Sequence, residues 1–252
     1  MENLIREITD RYRPVSLEEM ESVKLMDRVE TKFVFSIDKL PRLLSLMETD
    51  YRIMETAGNR LHAYDTVYFD TPGLNLYRVH HQGKLNRYKI RFRRYCDSDL
   101  CFFEVKFKNN KGRTIKKRIK HAGFSRVIEG KAEKLMKDCT PFDPASMVPV
   151  METRYNRMTF VNRDMTERIT IDTGLTFCKD DQKVTIGGLC IAEVKQQRSS
   201  LAGIPCLMHR LEIRQMSVSK FCLGIIHMYP GIRKNNLKPK LLRIQKILKN
   251  VS

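Results

Sequence analysis

Between Asn86 and Lys108 the chain alternates between charged and apolar positions with a period of two. Lys89, Arg91 and Arg93 alternate with Tyr88, Ile90 and Phe92. After the turn-like Cys-Asp-Ser-Asp, Glu104, Lys106 and Lys108 alternate with Phe103, Val105 and Phe107. Successive residues of a strand face opposite sides, so this stretch predicts a β-hairpin with one charged and one apolar face.

The pattern recurs along the chain. In Asp27–Phe35, Arg28, Glu30 and Lys32 share a face. In Arg113–Lys120, Thr114, Lys116 and Arg118 do so, and in Val148–Val161, Thr153, Tyr155, Arg157 and Thr159. In Arg168–Thr173 the set is Arg168, Thr170 and Asp172, and in Leu189–Gln196 it is Ile191, Glu193 and Lys195. Tyr51–Met54, Ala63–Asp70 and Met208–Arg214 read as further strands.

Helical spacing appears elsewhere. Ser16 and Glu19 form a capping box that opens a short helix over about 16–24. Asp38 is placed to cap a helix to Met47 with Leu40, Leu43, Leu44 and Met47 on one face. Leu74–His81, Ala122–Lys137 and Ser219–Met228 lean helical, and Leu237–Lys249 predicts a basic amphipathic helix with Pro239 in its first turn.

An antiparallel sheet with so many charges on one side is used best when closed, because alternate residues then line an interior while apolar faces pack outward on helices. The expected fold is therefore α+β: a closed antiparallel β-barrel tunnel of about eight strands with surrounding helices, one domain over the 252 residues. Buried cations need counter-charge, since an unpaired one costs several kcal/mol even after relaxation.

Composition narrows the partner. Lys and Arg number 47 against 29 Asp and Glu, a formal net charge of +18, which points to a polyanion. Tryptophan is absent, so the stacked aromatic platforms of a single-strand binder are not evident, and no specific nucleic acid is expected. The seven cysteines include no C-x-x-C pair, and the histidines lack ligand spacing, which argues against a zinc or histidine metal centre. No run approaches the roughly 18 apolar residues of a membrane span, and the first residues are charged throughout, so the expectation is a cytoplasmic protein, at most peripheral at a membrane. Arg forks, Lys point charges and a few carboxylates suit a phosphate chain with a hard divalent cation. No Walker sequence is present, so side chains must hold the phosphates.

Eight motifs, R-V-E-T-K-F (Arg28–Phe33), V-Y-F-D (Val67–Asp70), K-I-R-F-R (Lys89–Arg93), F-E-V-K (Phe103–Lys106), Y-N-R (Tyr155–Arg157), R-I-T-I-D (Arg168–Asp172), A-E-V-K (Ala192–Lys195) and S-K-F (Ser219–Phe221), follow one another in order. In this the chain resembles the VTC-type polyphosphate polymerase domain of the triphosphate tunnel metalloenzyme (CYTH-like) superfamily over roughly Met26 to Met228. The resemblance implies a tunnel that binds ATP or another nucleoside triphosphate with Mn2+ or Mg2+ and passes the terminal phosphate to inorganic polyphosphate. It implies that Lys32, Arg91, Arg93, Lys106, Arg157 and Arg168 hold triphosphate or product, that Lys195 and Lys220 assist at the phosphates, and that Glu193 ligates the metal.

Lys32, Arg91, Arg93, Arg157, Arg168 and Lys220 are thus assigned the catalytic role. Alternation adds Arg28, Lys89, Lys116 and Arg118 to Lys106 and Lys195 as substrate-binding residues, and Glu30, Glu104 and Asp172 as further candidate metal ligands. The same Glu–Lys alternation also suits plain cross-strand ion pairs worth about 0.2–1 kcal/mol each. A separate membrane protein partner is implied if polymer is exported. The alternative activities are a tunnel-fold triphosphatase, a nucleotidyl cyclase, or a non-catalytic polyanion-binding subunit.

Overall fold

The computed structural model describes residues 1–22, 28–197 and 203–249. The predicted helix end at residue 24 and the predicted strand start at Asp27 lie outside the described residues. Helix α1 (Glu2–Asp10), strand β1 (Pro14–Val15) and α2 (Leu17–Ser22) lead to β2 (Arg28–Ser36), α3 (Leu40–Met47), β3 (Tyr51–Met54), β4 (His62–Asp70) and α4 (Asn75–His81). The hairpin is β5 (Arg87–Tyr95) with β6 (Leu100–Lys108), followed by β7 (Thr114–His121) and α5 (Gly130–Cys139). Then come β8 (Val148–Asn162), β9 (Glu167–Lys179), β10 (Gln182–Thr185), β11 (Leu189–Gln197), α6 (Ile204–Arg210), α7 (Lys220–Met228) and α8 (Lys238–Lys249).

The capping box at α2 forms as its spacing demands: the Ser16 amide donates to Glu19 Oε2 at 2.9 Å and the Glu19 amide to Ser16 Oγ at 3.1 Å. Ser36, rather than Asp38, caps the turn that feeds α3 by accepting from the Asp38 amide. Leu40, Leu43, Leu44 and Met47 are fully buried. The predicted strand at Met208–Arg214 is a correction. Residues Ile204–Arg210 are helical, with Ile204 and Met208 buried four residues apart on one face of α6, and the chain then runs without regular structure toward α7.

The principal strands pair antiparallel in the order β2-β11-β9-β8-β4-β5-β6-β7. The expected closure of the barrel is the second correction: among the described residues β2 and β7, at the two ends of the order, do not pair with each other. The edge of β2 is taken instead by the segment before α7, where Gln215 bridges Phe33 and the Met216 amide donates to the Lys32 carbonyl at 2.9 Å. With those groups satisfied, no ladder to β7 is needed. The sheet is nonetheless curled: the segment before α7 that bonds to β2 through the Met216 amide also reaches β5, five places away in the order, where Ser219 Oγ accepts from Lys89 at 3.2 Å.

Apolar side chains cover the convex side. Ile169, Ile171, Ala192, Val194 and Phe160 pack with α3, with Ile5 and Ile8 of α1, and with Ile204 and Met208 of α6. Ile90, Phe92, Phe103 and Val105 belong to a second cluster that also takes in Ala132 and Met136 of α5. Helix α7 lies on the concave side, where Phe221 meets Tyr68 with ring centroids 5.2 Å apart. Gly224 of the same helix sits where any Cβ would collide with Met151 and the Phe177 ring.

Candidate functional site

Strand register puts the predicted residues on one concave face. Lys32 lies opposite Glu193 and Glu30 opposite Lys195, while Glu193 and Lys195 lie opposite Thr170 and Arg168. Arg157 faces Asp172 on one side and His62 of β4 on the other; farther along the same face of β4, Tyr68 lies opposite Arg91, Arg91 opposite Glu104 and Glu104 opposite Arg118. Lys89, Lys106 and Lys116 form the parallel row beside it. Arg28 opens β2, and its side chain lies outside the described residues.

Three acidic groups each hold cations in place. Glu104 is completely buried, accepts from Arg91 Nε at 2.7 Å and pairs with Lys116. Burial pushes its carboxyl up, but Arg91, Arg93 and Lys116 outweigh this and keep it well below the usual carboxylate range. Asp172 takes a two-pronged contact from Arg157 (Nε 2.6 Å, Nη2 2.8 Å) and an ion pair from Lys220, whose ammonium also lies 4.6 Å from the Tyr155 ring centroid. Burial raises its pKa, yet these two cations bring it down to about 2. Glu193 pairs with Lys195 at 2.6 Å and with Lys32, which also pairs with Glu30. Burial opposes ionisation of Glu193, and Lys195 and Lys32 hold it well below its ordinary value.

Cations exceed their partners. Among the described residues Lys89, Arg93 and Lys106 form no ion pair with a carboxylate, although Arg93 is buried with Nε unpartnered. Lys106 is held well below the ordinary lysine value by Arg91, by burial and by Arg93. Burial is the main cause for Lys116, which falls to about 8, and for Lys89, which is also lowered. Such shifts mark a place that resists further positive charge and favours a bound anion.

Two assigned residues stand apart from this cluster. Arg118 is exposed on β7 with its guanidinium 4.8 Å from the Phe102 ring centroid, and Arg168 donates to the Met20 carbonyl at 2.6 Å. As for metal ligands, Glu104 and Asp172 are each enclosed by their own cations, and among the described residues no three His, Cys, Asp or Glu side chains gather as a metal centre. Glu30 and Glu193 do converge, on the single ammonium of Lys32.

Sequence reasoning missed the aromatic floor. Tyr64 and Tyr155 stack with ring centroids 5.3 Å apart, and the guanidiniums of Arg157 and Arg93 lie 5.2 and 5.6 Å from the Tyr64 ring. The signal was the alternation of Tyr64, Thr66 and Tyr68 in β4, which places all three on the charged face. The hydroxyls of Thr66, Thr153, Tyr155 and Thr170 are buried without a hydrogen-bond partner, leaving neutral donors beside the cations.

A family model described as the VTC domain matches residues 27–229. No curated protein matches the chain by sequence. Among solved structures, a Hippeastrum protein assigned as an adenylyl cyclase, with a dominant triphosphatase activity, is similar at 14% identity, covering 82% of this chain and 98% of that one with a TM-score of 0.51. A protein from Vibrio parahaemolyticus assigned as an adenylate cyclase is similar at 14% identity, covering 79% of this chain and 99% of that one with a TM-score of 0.46. The first supports a shared fold. Among the described residues no helix is long and apolar enough to cross a membrane.

Proposed function

The chain belongs to the VTC domain family, and from that premise we propose that it is a polyphosphate polymerase, passing the terminal phosphate of ATP to a phosphate chain held on the concave face. The observation that carries this reading is the surplus of cations, buried Arg93 with half-buried Lys89 and Lys106 above all, on a face where Glu104 already serves Arg91 and Lys116. A phosphate chain supplies the missing negative charge along a row of strands. Arg91, Arg93 and Arg157 offer forked donors to phosphate oxygens, and Lys32, Lys106 and Lys220 offer point charges. Glu104 and Asp172 are positioning residues that fix Arg91 and Arg157 before substrate arrives, so the charge of the migrating phosphoryl group meets an arrangement already in place.

Glu193 and Glu30 fit a Mn2+ or Mg2+ ion: their hard oxygens already converge on one cation, and such ions need only one or two carboxylates when phosphates complete the shell. The ion would neutralise phosphate charge. Lys195, Arg118 and Arg168 lie on neighbouring positions of the same strands and are assigned to the phosphate chain away from its centre, and Arg28 keeps that assignment from the sequence alone. A membrane protein partner belongs to this reading only where polymer is exported.

The test is incubation of the purified protein with ATP and Mn2+ or Mg2+, with and without a short polyphosphate primer, beside an Arg93→Gln variant. A ladder of exopolyphosphatase-sensitive polymer that is lost in the variant is the expected result. Free phosphate without polymer overturns it in favour of a triphosphatase, the activity of the similarly folded Hippeastrum protein. Untouched ATP in every condition overturns it in favour of a polyanion-binding subunit.

A further inference from the structure

Three elements, β5, β6 and α8, bring positive charge to one end of the concave face. On β5 and β6, Arg87 lies opposite Lys108 and Lys89 opposite Lys106, so the cationic rows run on past Glu104 to the end of the sheet. Lys89 donates to Ser219 Oγ at 3.2 Å, and Lys240 of α8 donates to Ser217 Oγ at 2.9 Å. Those serines are two residues apart before α7, so ammonium groups from β5 and α8 are tied to the same short segment. On α4, His80 Nδ1 is buried without a hydrogen-bond partner. Burial and the charges of Lys89, Arg87, Lys240 and Lys108 push that imidazole down to about 2, and Lys89, Arg87 and Lys240 also act on the Cys222 thiol in the first turn of α7.

Among the described residues none of Arg87, Lys89, Lys108 and Lys240 forms an ion pair with a carboxylate. Helix α8 is firmly placed: Ile244 is buried, and Arg243 donates to the carbonyls of Arg214 and Gln215 at 3.3 and 3.4 Å. Lys240 also lies beyond the residues 27–229 that match the family model.

We infer that α8 adds a second anion station at this end, where Lys240 acts with Arg87, Lys89 and Lys108 on phosphates beyond the three of a triphosphate and so favours long phosphate chains over short ones. This rests on the reading that the concave face binds phosphate. A triphosphate centred on Arg91 and Arg93 leaves the station empty, whereas a longer chain spans both.

The experiment measures binding of tripolyphosphate and of a polyphosphate several times longer, at matched ionic strength and without ATP. It compares the unaltered protein with Lys240→Gln, Lys240→Arg and Lys246→Gln, the last an equal charge loss at an exposed position of α8, with circular dichroism melts confirming that each variant folds. Lys240→Gln should weaken the long chain about fivefold and leave tripolyphosphate unchanged. Lys240→Arg and Lys246→Gln should leave both unchanged. Equal weakening of the two ligands by Lys240→Gln, no weakening of either, or the same loss from Lys246→Gln overturns the inference. An unaltered protein that binds neither ligand instead overturns the phosphate-binding reading beneath it.

Discussion

Replacing Glu104 by Gln removes the one negative charge enclosed by Arg91, Arg93 and Lys116 while keeping nearly the same shape. Glu104 is fully buried, and its two oxygens are divided between Arg91 and Lys116. Deleting one partner of a buried ion pair costs about 3–5 kcal/mol, and because the Gln carbonyl can still accept one hydrogen bond the expected loss is at the lower end, about 3 kcal/mol. For a chain of this size each kcal/mol moves the melting temperature by about 2–4 °C, which places the variant about 6–12 °C below the unaltered protein.

A second reading comes from the same melts with tripolyphosphate added. Ligand at a hundred times its dissociation constant stabilises by about 2.7 kcal/mol, and an anion that takes over from the lost carboxylate should raise the variant's melting temperature more than it raises the unaltered protein's. The carboxyl is held far below its ordinary value, so its contribution is fully present above about pH 4.3 and fades as pH falls. The acid limb of the stability profile should therefore flatten in Glu104→Gln. A melting temperature within about 2 °C of the unaltered protein, or a smaller rise with anion, would refute the view of Glu104 as the stand-in for bound phosphate.

Lys116 supplies a test at higher pH. Its pKa is pushed down to about 8 by burial, so polyphosphate affinity should fall as pH passes about 8 and the ammonium is lost. Without ligand, stability should rise from about pH 8 toward the ordinary lysine value of 10.5, because the unfolded chain there carries a proton that the folded one has shed. Lys116→Arg should remove both trends in binding titrations and urea melts. Gly224→Ala should destabilise by about 1–3 kcal/mol through collision with Met151 and Phe177, and an unshifted urea midpoint would disprove the close seating of α7 on β8 and β9.

The charged face was legible because a period of two fixes which side each residue takes: Lys89, Arg91 and Arg93, then Glu104 and Lys106, share a side by spacing alone. Which residues meet across strands and helices was not legible. The meeting of Arg157 with Asp172 depends on register between β8 and β9, and that of Lys220 with Asp172 on where α7 seats. Closure failed as an expectation for a related reason. Periodicity reports faces and is silent about edges, and the edge of β2 is claimed by Gln215 and Met216, far along the chain. Residues 208–214 misled because apolar positions in so short a run suit either strand or helix.

An open sheet presents its last strand to other molecules, and β7 is that strand. An unpaired row of amides and carbonyls is a template on which another chain could add a strand. Here the row is guarded by Lys116, Lys117, Arg118 and Lys120 within eight residues. A second copy arriving edge to edge would bring cation against cation, which disfavours pairing. The positive charge proposed to recruit phosphate therefore also protects solubility, and a phosphate chain that neutralises it removes the repulsion between copies.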